Sequence, residues 1–277
     1  MNCSYQTVLS RCFVNVPWLD LKGKHLDCVL KNRIRPEIGL EGDCLYNESP
    51  ATFQKISRLL QKHQLDCTLH APFFDLAPGA LDPIILKQSR AKLRLAFDLL
   101  DIFRPHSIVC HLQYEDSKQG YQYDRWLETA SKTWSELVAI AAARNIPVML
   151  ENTYEINPKA HLDILTRLNS PHCRFCLDVG HLLAFSRSDW RNWLPELSPW
   201  LGQLHLHDNH GGHDSHLALG QGVFDFQGLF NFLRKNDLTP LVTLEPHNTK
   251  WLAPSLAYLA DRNFPKPVDG QDIREVH

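Results

Sequence analysis

The chain has 277 residues, 44% of them apolar and 22% charged, and a formal net charge of −2. That balance supplies a large core, argues against intrinsic disorder and lacks the overall basic excess of an electrostatic nucleic-acid binder. No charged segment followed by a short apolar run opens the sequence, and no apolar run reaches membrane-spanning length, so a soluble cytoplasmic protein without a membrane partner is expected.

Eight short apolar runs alternate with longer helical patterns. The first strand is expected near 12–16, followed by Pro17-Trp18 and an amphipathic stretch to about Lys31. The second lies near 37–40, after which Ser49-Pro50 opens a helix as N-cap and first-turn proline. The third, 67–70, runs into Ala-Pro-Phe-Phe-Asp, and Asp82-Pro83 starts a helix to about Phe103. Strands at 107–111 and 147–151 flank a helix over 123–144, and Asn157-Pro158 opens the next one. A strand at 174–178 precedes a helix near 189–197; a strand at 202–207 precedes a helix capped by Asp225. The eighth strand, 241–245, is followed by a helix over 252–262 and a loosely tied tail, 265–277.

Strands alternating with helices imply a parallel sheet. Eight such units in this length favour an α/β single-domain (β/α)8 TIM barrel over 1–264. An open Rossmann-like sheet ranks behind it, because no G-x-G-x-x-G follows any strand. The eight cysteines contain one C-x-x-C, Cys173 to Cys176, without a second pair and entering a strand, so they read as structural.

The stretch 205–222, HLHDNHGGHDSHLALGQG, places five histidines and two aspartates within twelve residues and ends among glycines. Alternation sends His205 and His207 to one face of the seventh strand, and the glycine-rich loop beyond carries Asp214 and His216. The other strands end in kind. His70 closes the third, His111 the fourth, Glu151 the fifth, Asp178 the sixth with His181 three residues on, and Glu245 the eighth. Taken singly, His70 or His111 reads as a core histidine bonded to a carbonyl. Three carboxylates ending apolar strands are costly to bury alone. In a barrel all these ends form one ring, where catalytic groups collect. Shared divalent metal is the arrangement that offsets their desolvation.

The motifs LHAPFFDL, VCHLQ, MLEN, LDVGH, HLHDN with Asp214-Ser-His216, and TLEPH resemble the xylose isomerase-like TIM barrel superfamily, from about the third strand to the eighth. The resemblance implies one of two chemistries. In the isomerase and epimerase branch, Glu151, Asp178, His205 and Glu245 would hold one ion, and Glu151 and Glu245 would shuttle a proton between adjacent carbons of a small sugar or sugar phosphate. In the endonuclease IV-like branch, His70, His111, Glu151, Asp178, His181, His205, Asp214, His216 and Glu245 would hold three zinc ions that cleave a phosphoester, with Glu151 bridging two of them. The full nine pull toward a multinuclear site, since one ion takes about four to six ligands. So does the Asp-Ser-His beyond the seventh strand, where epimerases of the family carry an arginine.

A nuclease needs a basic track along the polymer. The nearest basic cluster, Lys31, Arg33 and Arg35, precedes the second strand and maps to the opposite face, and no Lys or Arg lies between His205 and Phe226. The preferred expectation is therefore a metal-dependent isomerase or epimerase acting on a small sugar or sugar phosphate. Its alternatives are the multinuclear zinc hydrolase and a non-catalytic metal- or ligand-binding barrel. One to three Zn, Mn, Co or Mg ions are expected, and nucleic acid is not an expected partner. Trp18, Phe73, Tyr114, Asn152, His207 and His247 are the candidate pocket residues, with Phe73 and Phe74 walling a small pocket.

Overall fold

Eight parallel strands close on themselves in chain order. They are β1 (Phe13–Pro17), β2 (Pro36–Gly39), β3 (Thr68–His70), β4 (Ile108–His111), β5 (Val148–Glu151), β6 (Cys173–Asp178), β7 (Leu201–Leu206) and β8 (Leu241–Leu244). The computed structural model describes residues 3–265, so all but the first residue of the expected tail over 265–277 lies outside the described residues. The barrel is the architecture expected from the sequence, with strand positions agreeing to within a residue or two. Among the described residues no helix is long and apolar enough to cross a membrane.

Period-2 alternation divides each strand between two environments. One set, including Leu69, Ile108, Leu150, Phe175, Leu204 and Val242, packs under the helices in the main hydrophobic core. The other set faces the barrel interior. There Val109, Met149 and Cys176 form a separate apolar cluster with Leu241 against it. Beside it lies a fully buried polar network. Gln203 donates from Nε2 to Glu37 Oε2 at 2.7 Å, Thr68 and Thr243 donate to the same oxygen at 2.9 and 3.0 Å, and Ser107 donates to Gln203 Oε1 at 2.7 Å.

Helix starts follow their caps. Ser49 accepts from the Thr52 N–H, Asp82 from those of Ile84 and Ile85, and Asp225 from that of Gly228. Three expected helices are interrupted. That near 189–197 divides into a 3-10 turn, Trp190–Asn192, and a short helix, Leu194–Leu197. The stretch after β1 breaks into Trp18–Lys22 and Leu26–Lys31 at Gly23, Lys24 and His25, where a glycine is a poor helix interior residue. The helix from Pro83 stops at Phe97 and resumes over Leu100–Phe103.

Candidate metal centre

Six consecutive strands bring a ligand-type side chain to the same end of the barrel. Glu151 sits at the middle of the constellation. Its Oε2 lies 3.1 Å from His70 Nε2 and 3.2 Å from His111 Nε2. Its Oε1 lies 3.2 Å from His205 Nδ1 and 3.5 Å from His181 Nδ1. Each oxygen therefore serves a different set of imidazoles. His205 Nδ1 also lies 3.0 Å from Glu245 Oε1 and 3.9 Å from Asp178 Oδ2. Asp214 Oδ2 lies 2.8 Å from His216 Nε2 and 3.5 Å from His181 Nε2. All nine residues singled out as ligands in the sequence thus meet in one contiguous cluster. With His207 and Glu37 included, donor atoms among the described residues form five overlapping triads, each with its atoms within 4.8 Å of one another.

Three of the histidines are wired to the main chain in the same way. His70 donates from Nδ1 to Ala71 O at 2.9 Å, His181 to Asn152 O at 2.8 Å, and His216 to Glu245 O at 2.9 Å. A carbonyl can only accept, so Nδ1 carries a proton, and in the neutral imidazole Nε2 is the nitrogen left free to face an ion. This is the outer support that metal-ligating imidazoles use. Burial works to raise Glu151 and Asp214, but the facing imidazoles outweigh it and hold both carboxylates well below the ordinary range. Burial likewise opposes the charged form of His70, yet Glu151 beside it raises that imidazole to about 9. Asp214 Oδ1 and His207 Nδ1 are buried with no hydrogen-bond partner. Ionised carboxylates, preset imidazoles and orphaned donor atoms in one buried cluster are what divalent cations complete, so these residues fit a metal centre.

The other sequence candidates fall in different places. His207 is buried within the ligand cluster, 3.1 Å from both oxygens of Asp178 and stacked on His216 at 3.7 Å. A Cβ at Gly180 would fall 1.9 Å from the His207 ring, which explains the glycine of LDVGH. Asn152 ties β5 to β6 through both main-chain groups of Asp178. Phe73 stacks on His111 and, with Phe74 and His247, lines a cavity of about 530 Å³ over the ligands. Trp18 packs in the core against Phe53 and is not among the residues lining that cavity, and Tyr114 is buried against Trp126 with its hydroxyl on Asp116. Lys118 is the only Lys or Arg among the described residues lining that cavity, and Arg35 is at the opposite end, over the Phe13 ring.

Sequence reasoning passed over two carboxylates. Glu37 on β2 is fully buried, with Oε1 3.2 Å from His205 Nε2, while His205 Nδ1 faces the ligand cluster. Its signal was the same as that of Glu151, a lone charge inside an apolar strand. Glu37→Ala is expected to weaken metal binding by about 10- to 100-fold, the usual effect of removing such an outer partner; competition with a chromogenic chelator measures it, and unchanged affinity would remove Glu37 from that role. The second, Asp208, accepts main-chain N–H groups from Asn209, Gly220, Gly222 and Phe224 at 2.9 to 3.2 Å. That single carboxylate gathers the loop after β7, from which Asp214 and His216 project.

Residues 37–264 match a family model described as xylose isomerase-like TIM barrel. A D-tagatose 3-epimerase-like protein is similar over 90% of this chain and 96% of its own, at 22% identity and a TM-score of 0.78. A Thermus thermophilus protein soaked with zinc chloride matches over 91% and 97%, at 24% identity and a TM-score of 0.77. D-psicose 3-epimerase from Clostridium cellulolyticum, solved with D-tagatose, matches over 92% and 98%, at 16% identity and a TM-score of 0.72. At these identities the likeness shows a common fold.

Proposed function

The chain belongs to the xylose isomerase-like TIM barrel family, and from that premise we propose that it is a multinuclear-metal phosphoester hydrolase acting on a small molecule. The observation that carries this reading is the placement of Glu151. Both of its oxygens are engaged, one toward His70 and His111, the other toward His205 and His181. A carboxylate held from two sides suits a bridge between ions better than a base that must take a proton from carbon. His70 with His111, and His181 with Asp214 and His216, are ligand sets that a one-ion site would leave over.

Divalent ions held there would supply Lewis acidity toward a phosphoryl group and its attacking water. The chain's own residues do the positioning. Main-chain carbonyls hold His70, His181 and His216 in one tautomer, and Phe73 and Phe74 screen the ligands from bulk water. The near absence of cations around the cavity favours a small substrate over a nucleic-acid polymer.

A second reading, sugar isomerisation or epimerisation, is supported by the convergence of Glu151, Asp178 and Glu245 on His205 Nδ1, four residues that suffice for one ion. The epimerases among the fold neighbours point the same way. One experiment separates them. Protein loaded with zinc or manganese is assayed on bis(p-nitrophenyl) phosphate and, in deuterated solvent, on a panel of ketoses and ketose phosphates. The expected result is diester cleavage without exchange of substrate C–H protons. Exchange on a ketose without diester cleavage would move the assignment to the isomerase branch, and neither activity would favour a binding barrel without turnover.

A further inference from the structure

A second cavity, of about 730 Å³, adjoins the first. Its walls are β1 and the two helices that flank it. Val16, Val29, Ile34, Leu252 and Leu256 make it largely apolar, while Asp20, Lys24 and His25 stand at its polar edge. The break in the helix after β1 borders it, with Lys24 and His25 of residues 23–25 in its lining. Asn15, Glu41 and His247 line both cavities and form the passage between them. Apart from Glu41 and the residues after β8, this wall lies before residue 37, outside the segment that matches the family model. The metal ligands lie inside that segment.

We propose that the second cavity holds one ester group of the phosphoester substrate, and that this group is bulky and largely apolar. The substrate class is then a phosphodiester of a large hydrophobic alcohol. This rests on the hydrolase reading. The size and character of the space decide the class. A free hexose fits the metal-side cavity alone and would leave the second one idle, whereas about 730 Å³ of largely, not wholly, apolar space is within the usual range for a ligand of some tens of atoms. An apolar group seated there gains from burial while its phosphate passes Asn15, Glu41 and His247 to reach the ligands. The reaction needs only water. Water adds to phosphorus, one P–O ester bond breaks, and the alcohol leaves with a proton as a phosphomonoester forms.

Two measurements test the proposal and separate it from the reading beneath it. The first follows binding of pyrenemethanol, a bulky apolar alcohol, to full-length metal-loaded protein by fluorescence anisotropy. Ala253 and Cys28 are exposed lining positions on two different helices, so Ala253→Trp narrows the cavity, and Cys28→Trp does so from the other helix if the first variant folds poorly. Saturable binding to the wild type, weakened at least about tenfold in the variant by lost space, is the expected result. No saturable binding, or equal binding to both, overturns the proposal. The second compares 1-pyrenylmethyl p-nitrophenyl phosphate with methyl p-nitrophenyl phosphate. The wild type is expected to favour the pyrenyl diester in kcat/KM by about tenfold or more, a ratio that collapses in the variant. Cleavage of both diesters at equal rates overturns the proposal as well. Cleavage of neither, with cavity-dependent pyrenemethanol binding intact, supports the cavity assignment and sinks the hydrolase reading instead.

Discussion

Glu151→Gln is expected to empty most of the metal centre. The amide keeps the shape of the side chain but loses its charge and replaces one acceptor oxygen by a donor. On one side stand His70 and His111, on the other His205 and His181, so the amide leaves one pair facing an N–H₂ group. Protein purified without added metal should fall from about three ions per chain to one or fewer by mass spectrometry, because a structural or catalytic ion needs three or four good donors. Activity should fall by more than about a hundredfold, since even outer-shell partners are worth 10- to 100-fold. His207→Ala should cost less metal, because His207 meets Asp178 alone at hydrogen-bond distance. Equal metal content in the two variants would overturn the central place given to Glu151.

Asp208→Ala should be the most destabilising change outside the ligands. It removes one carboxylate from four main-chain donors and leaves the N–H groups of Gly220, Gly222 and Phe224 in a partly buried loop without their acceptor. The loop has little else at its neck. Asp208 and Leu217 exchange one pair of main-chain bonds, and Val223 donates to Asn209 O. Breaking a buried charged network of this kind costs about 3–5 kcal/mol. Urea unfolding with a chelator present isolates that loss from any metal contribution. A change under about 1 kcal/mol would mean that the loop holds its shape without Asp208. The same variant should lose metal from Asp214 and His216 first, since His216 already sits in the left-handed region at φ 45° and needs the loop to keep it there.

The convergence of these side chains at one end of the barrel is legible in the sequence for a physical reason. A charged side chain at the end of an apolar strand has few ways to exist, and six strands in succession ended that way. Glu37 carried the same signal, but it stands one residue into its strand and not at its end, so it was not read as part of the ring. Trp18 and Tyr114 are pocket candidates in the sequence, with ordinary packing as the competing reading. Both follow a strand by only a residue or a few, yet Trp18 turns into the layer between barrel and helices, where Phe53 and Phe103 meet it. The break at residues 23–25 could not be placed from amphipathic periodicity, because both short helices keep the same apolar face across it. His207 was expected to border the pocket, and only the close approach of Gly180 shows why it lies deeper.

The broken helix after β1 has a consequence for how such a protein can change. The groups proposed to hold metal come from β3 to β8 and their loops, and main-chain carbonyls of Ala71, Asn152 and Glu245 fix three of their imidazoles. The apolar chamber comes from β1, the broken helix after it and the helix Leu252–Asp261. His247 is the wall residue that stacks on a proposed ligand, His216; mutations confined to the two helices of the wall leave that contact in place, so guest and chemistry can drift independently. Mending the break with a continuous helix would alter that wall and the guests it admits. A library confined to residues 18–31 and 249–256 should therefore alter what the protein accepts while its metal content stays constant.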